Sequence, residues 1–138
     1  MGPKPIYALM MILLMAGCAM TQSKPAPVVE SSVQRGDIRS GEALLQLGLK
    51  QYDNGQYKRA AATLQQALEG NLAPAHRILA HKHLAFIYCT SNRITQCRTE
   101  FTKAIEVDPR FELAPAEAGH PQWGPVFRNV KARVPANS

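Results

Sequence analysis

The chain contains no P-loop, no H-E-x-x-H, no G-x-S-x-G, no C-x-x-C and no G-x-G-x-x-G, so the compact catalytic and nucleotide-binding signatures are absent from it. It has no long apolar run either. The longest, residues 6–16, covers eleven residues and reaches roughly 16 Å as a helix, about half of a 30 Å hydrocarbon core, so it cannot comfortably span a bilayer. There is no dense Lys/Arg block: 16 basic against 10 acidic residues give +6, spread along the chain, and nucleic acid is therefore not the expected partner. With 138 residues the chain supports one small core, which excludes a multidomain enzyme. Four histidines do not make a metal site. His81 and His83 are two apart and fall on different helix faces, where paired ligands need a spacing of three or four, and His76 and His120 add no pattern. No metal and no cofactor are expected.

What is present begins with an address. Lys4 and the amino terminus precede the apolar run, which closes on small residues at Ala16 and Gly17; a positive start and a short apolar centre mark an export signal. The string Leu14-Met15-Ala16-Gly17-Cys18 resembles a lipobox, with Met15 where Leu is commoner. That resemblance implies cleavage before Cys18 and lipidation of its thiol, which gives stable membrane anchoring because each buried methylene contributes about 0.8 kcal/mol. Ala19 after the cysteine points, by the sorting rule of such lipoproteins, to the outer membrane with the domain facing the periplasm. An ordinary export signal with an incidental Cys18, or an uncleaved anchor, is the alternative. The boundaries expected are a signal peptide over 1–17, a lipid-anchored flexible tether over 18–39, a domain over 40–134 and a tail over 135–138. Pro25, Pro27 and the absence of any apolar period support the tether.

Ser40 is a suitable N-cap, and Ala43, Leu44, Leu45, Leu47, Leu49 and Tyr52 then recur at helical spacing until Asn54-Gly55. Tyr57, Ala60, Ala61, Leu64, Ala67 and Leu68 define a second helix, closed by Gly70-Asn71 and Pro74. The spacing of Leu44, Leu47, Gly48, Gly55, Tyr57, Ala60, Leu64 and Ala67 returns 37 residues later as His81, Leu84, Ala85, Asn92, Ile94, Cys97, Phe101 and Ala104, with Tyr88 and Pro109 at further positions of the pattern. Both copies resemble the tetratricopeptide repeat. The resemblance covers residues 41–109 and implies an all-α fold of two tetratricopeptide helix hairpins. His81 and Leu44 replace the common Trp, and two repeats are fewer than usual, so the open end needs a cover. A C-terminal capping helix fits, because Trp123, Val126, Phe127 and Val130 share one helical face and Pro125 is tolerated in its first turn. Phe111, Leu113 and Pro115 are expected to lie back over the second hairpin.

Cys89 and Cys97 lie four residues before and after the turn near Arg93, so they can face each other across the second hairpin. With Cys18 used for lipid, they are an even number in an oxidising compartment, and a Cys89–Cys97 disulfide is expected. The alternative is a small buried Cys97 and a free Cys89 thiol.

In the family the first helix of each pair lines a concave face, and the resemblance assigns Glu42, Leu45, Leu49, Tyr52, Leu79, Lys82, Phe86 and Cys89 to it. Such a face suits a peptide or helix with apolar anchors and an acidic group for Lys82. The alternative is that the tether or the C-terminal segment covers it. Residues 108–125 resemble the tails of small tetratricopeptide lipoproteins encoded beside type VI secretion systems. The expected function is a non-enzymatic, lipid-anchored adaptor that binds a protein of an envelope assembly, with type VI secretion as the favoured context. A periplasmic chaperone or outer-membrane biogenesis scaffold is the alternative, and a thiol oxidoreductase or cell-wall hydrolase a more distant one.

Overall fold

The computed structural model describes the backbone of residues 29–134 and the side chains of residues 40–134. The signal sequence, Cys18 and the 135–138 tail lie outside the described residues. Among those described, every regular element is a helix: α1 (Val29–Asp53), α2 (Tyr57–Glu69), α3 (Pro74–Thr90), α4 (Ile94–Val107), the single turn α5 (Pro115–Ala118) and α6 (Gly124–Arg133). Helix α1 packs on α2, α3 on α4, and α2 on α3; α6 lies on α4.

The helix starts earlier than Ser40. Residues 29–39 are helical, so the tether expected over 18–39 gives way to helix by Val29. The sequence offers a reason: Pro27 is the last proline before Pro74, and Gly36 costs only about 1 kcal/mol inside a helix. Ser40 therefore sits within a helix, although its residue type favours a cap.

Both hairpin turns are built alike. Helix α1 ends with Gly55 at φ 72° and α3 with Asn92 at φ 57°, the left-handed conformation that glycine and asparagine adopt most readily. Gly55 N–H donates to the Tyr52 carbonyl and Gln56 N–H to that of Gln51. Asn92 and Arg93 repeat the pattern on Cys89 and Tyr88, at 2.8–3.1 Å. These are the paired bonds of a Schellman motif, and they recur at the 37-residue offset read from the sequence. With three residues between the helices, each pair returns antiparallel.

The interior repeats at the same offset. Ala60 and Cys97, Leu64 and Phe101, and Ala67 and Ala104 are all fully enclosed. A Cβ placed on Gly48 would lie 2.8 Å from Leu64 Cγ and Cδ2, so α1 approaches α2 as closely as a glycine permits. Gly48→Ala is expected to destabilise the fold by about 1–3 kcal/mol through overpacking, despite the better helix propensity of alanine, as read from urea unfolding. An unchanged midpoint would show that Leu64 yields freely.

The two pairs differ at their outer faces. Leu84 is 1% exposed, whereas its counterpart Leu47 is 47% exposed, because α2 and α4 flank α3 and nothing described precedes α1. His81 stands where the repeat pattern has Trp, and it is a buried polar partner: its Nδ1–H donates to Glu100 Oε2 at 2.6 Å, while Lys103 Nζ donates to Glu100 Oε1 at 2.9 Å. Between the pairs, the 70–73 link buries Leu72 beside Gly41.

Beyond α4 the chain doubles back over the second hairpin. Leu113 is buried, and Phe111 meets Phe127 edge to face at 5.6 Å. Lys131 of α6 donates to the carbonyls of Pro109 and Phe111 and pairs with Glu112, which ties the incoming segment to the helix. Phe127 and Val130 are buried, with Phe127 5.1 Å from Phe101. The start of α6 at Gly124, with Pro125 in its first turn, agrees with the position that the proline dictates.

Candidate partner-binding face

The face formed by α1 and α3 holds the residues that the repeat pattern assigns to a groove, but the structure divides them. Glu42, Leu49, Tyr52 and Leu79 remain partly exposed. Leu45 does not: it is fully enclosed in the core, so its place in the groove is corrected to a packing role. Phe86 is 3% exposed because Trp123 stacks on it, with ring centroids 4.3 Å apart and planes 23° apart. Lys82 is committed as well. Its Nζ lies 2.7 Å from Glu117 Oε1, so the acidic group expected from a partner is supplied by the chain itself.

The covering segment is held by specific bonds. Glu117 Oε2 accepts from the Ala114 N–H at 3.0 Å, and Trp123 Nε1–H donates to the Glu117 carbonyl at 2.8 Å. His120 stacks on the outer face of Trp123 at 3.3 Å. Stacked aromatics and satisfied indole N–H groups are what a permanent contact requires. Half of the face is therefore filled from within.

The uncovered half is aromatic. Tyr52 meets Tyr57 at 5.4 Å and His83 at 5.0 Å, both edge to face, and His83 meets Phe86 at 5.8 Å. Tyr57 is 48% exposed, one of two large apolar residues open to solvent among the described residues. His83 Nδ1–H donates to the Leu79 carbonyl at 2.8 Å, which leaves Nε2 as an acceptor. Burial lowers the His83 pKa and the Lys82 ammonium adds to this, against the Leu79 hydrogen bond, Glu117 and Asp53. The net shift is downward and favours the neutral ring. Burial also raises the Tyr52 hydroxyl, helped by Tyr57, Glu117 and Asp53. At the other end of the face, the Glu42 carboxylate lies 3.3 Å from His76 Nδ1.

Sequence reasoning did not find Tyr57, His83, Asp53 or Glu117 at this site. Helical spacing of three and four from Leu79 and Phe86 was the available signal for His83; for Glu117, more than thirty residues from Lys82, there was none.

Cys89 and Cys97 are joined by a disulfide with Cα atoms 5.2 Å apart, and both are buried. Cys89 thus staples α3 to α4 and is no part of an open groove. Replacing both cysteines by alanine is expected to lower stability by about 2–3 kcal/mol from loop-closure entropy, measured by urea unfolding against the oxidised protein. A loss below about 0.5 kcal/mol would show that the Schellman turn already fixes the hairpin. Among the described residues, no group of three or more His, Cys, Asp and Glu side chains is arranged to hold a metal, and no helix is long and apolar enough to cross a membrane. No family model, curated protein or solved structure matches the chain.

Proposed function

We propose that the chain is a non-enzymatic tetratricopeptide adaptor, moored to the outer membrane through acylated Cys18, that holds a peptide or helix of an envelope-assembly protein against its α1/α3 face. The favoured setting is type VI secretion. The observation that carries the proposal is the Tyr52–Tyr57–His83 cluster, partly exposed at Tyr52 and His83 and open to solvent at Tyr57, beside Leu49 and Leu79, on a pair of hairpins whose turns and interior repeat at 37 residues. Tethering adds effective concentration, so a weak contact on this face suffices for residence at the membrane.

A photocrosslinking amino acid at Tyr52 or Leu49, in cells, tests the face directly. A discrete envelope protein should be captured from both positions and from neither Glu69 nor Thr99, which lie on α2 and α4. Equal capture from all four sites would discard the face. In the same cells, Cys18→Ala should move the protein from the membrane to the soluble fraction; unchanged fractionation would discard the lipid anchor while leaving the face in place.

A further inference from the structure

The two hairpins carry the same cleft at the 37-residue offset, but only one of the clefts is complete. On the first hairpin a cleft of about 440 Å³ is lined by Ser40 and Leu44 of α1 and by Gln66, Glu69 and Gly70 at the end of α2. On the second, the equivalent residues Arg77, His81, Lys103, Glu106 and Val107 line a cleft of about 660 Å³. This one has a further wall, because Leu68 of α2, the helix of the preceding pair, lines it too. Among the described residues no helix does the same for α1. Two side chains show the same asymmetry. Leu84 on α3 is 1% exposed and its counterpart Leu47 on α1 is 47% exposed. Gln65 of α2 donates from Nε2 to the Tyr88 hydroxyl at 2.8 Å. Gln51 is the counterpart of Tyr88, and its side-chain oxygen is enclosed without a hydrogen-bond partner among the described residues. A buried acceptor left unpaired is unfavourable, and in native proteins such an atom usually has a partner.

We infer that the outer face of α1 docks an amphipathic helix of another protein in the position that α2 takes on α3. A leucine of that helix closes the Ser40–Leu44–Gln66 cleft, apolar surface covers Leu47, and a glutamine or asparagine three residues before the leucine donates to Gln51. The molecule supplies the template: its hairpins share turns, interior and cleft, so the helix that completes the second defines the pose of the helix that completes the first. The spacing of donor and leucine is that of Gln65 and Leu68. A second copy has no such helix to spare. Its α2 is held between α1 and α3, its α4 is covered by α6, and α6 exposes Arg128, Asn129 and Arg133 rather than an apolar stripe. On the export reading the chain left before α1 is residues 18–28, where Pro25 and Pro27 argue against a helix. The outer face is separate from the α1/α3 face, so the inference goes beyond the adaptor reading and does not depend on it.

The test measures, by fluorescence anisotropy, binding of a hydrocarbon-stapled peptide of the α2 sequence, residues 57–69, to the mature protein carrying Cys18→Ala with its disulfide formed. The peptide should bind. Leu47→Asp in the protein and Leu68→Glu in the peptide should each weaken binding about tenfold, the loss that one leucine left out of the contact implies. Gln65→Ala in the peptide should weaken binding to the protein with Gln51 intact but not to Gln51→Leu, a coupling that loss of folding would not produce. Tyr57→Ala in the protein should leave binding unchanged, which separates this surface from the α1/α3 face. In cells, a photocrosslinking amino acid at Leu47 should capture a segment with leucine three residues after glutamine or asparagine. No binding of the stapled peptide, or binding indifferent to Leu47→Asp, would overturn the inference. So would self-association in sedimentation that Leu47→Asp abolishes, since it would give the face to a second copy.

Discussion

Trp123→Ala is expected to cost about 3–5 kcal/mol, the largest loss of any single truncation outside the enclosed core. The indole is buried between two rings: Phe86 beneath it at 4.3 Å and His120 over it at 3.3 Å. Its N–H is bonded to the Glu117 carbonyl, and Glu117 in turn holds Lys82. Truncation therefore removes apolar contact and one of the hydrogen bonds to the Glu117 carbonyl, which still accepts from the His120 N–H, and loosens the segment that closes the second hairpin. Since domains of this size are stable by only about 5–15 kcal/mol, such a loss brings unfolding within reach of mild urea. Trp123→Phe should retain the stack, lose the hydrogen bond and cost about 1 kcal/mol. Urea unfolding followed by far-UV circular dichroism measures both. If Trp123→Ala costs less than Trp123→Phe is expected to, the segment is not what seals Phe86.

The second large effect is expected at Glu100. His81 and Glu100 are 6% and 7% exposed, and the carboxylate is shared with Lys103. Glu100→Ala leaves the His81 donor buried without an acceptor and should cost about 2–4 kcal/mol. Replacing both residues by leucine should cost clearly less than the sum of the two single changes, because a buried polar pair is offset by its own desolvation. Additive losses would mean that the pair is not coupled.

The same pair sets a pH dependence. Burial by itself pushes the Glu100 carboxyl up, but hydrogen bonds donated by His81 and Lys103, with the charges of both, outweigh it, and the net shift is downward from 4.5. A carboxyl whose folded pKa lies below its unfolded value binds fewer protons in the folded state. Its contribution is therefore present above the ordinary glutamate range and is lost as pH falls through the lowered folded value. The stability difference between wild type and Glu100→Gln should be greatest above pH 4.5 and shrink below it. A difference that grows on acidification would reverse the assignment.

Much of the helical frame was legible because local chemistry forces it. Asn54-Gly55 and Asn92 supply residues for left-handed turns, Pro74 and Pro125 mark first turns, and apolar spacing of three and four residues marks the buried stripes. The start of α1 was not legible. Ser40 has the residue type of a cap, and a cap residue inside a continuing helix differs from a true cap only in backbone conformation. Nor was the partner of His81 legible, since Glu100 lies on another helix and no local pattern links the two.

By itself, the sequence determined where the chain turns, that its two halves repeat at 37 residues, and that Cys89 and Cys97 fall across one hairpin, since each follows from spacing within a short segment. Only the tertiary structure decided which side of that frame stays open. Lys82 and Phe86 look available on α3 until Glu117 and Trp123 arrive from more than thirty residues away, and the long-range contact that satisfies one charge and covers one ring is what separates a filled groove from a free one.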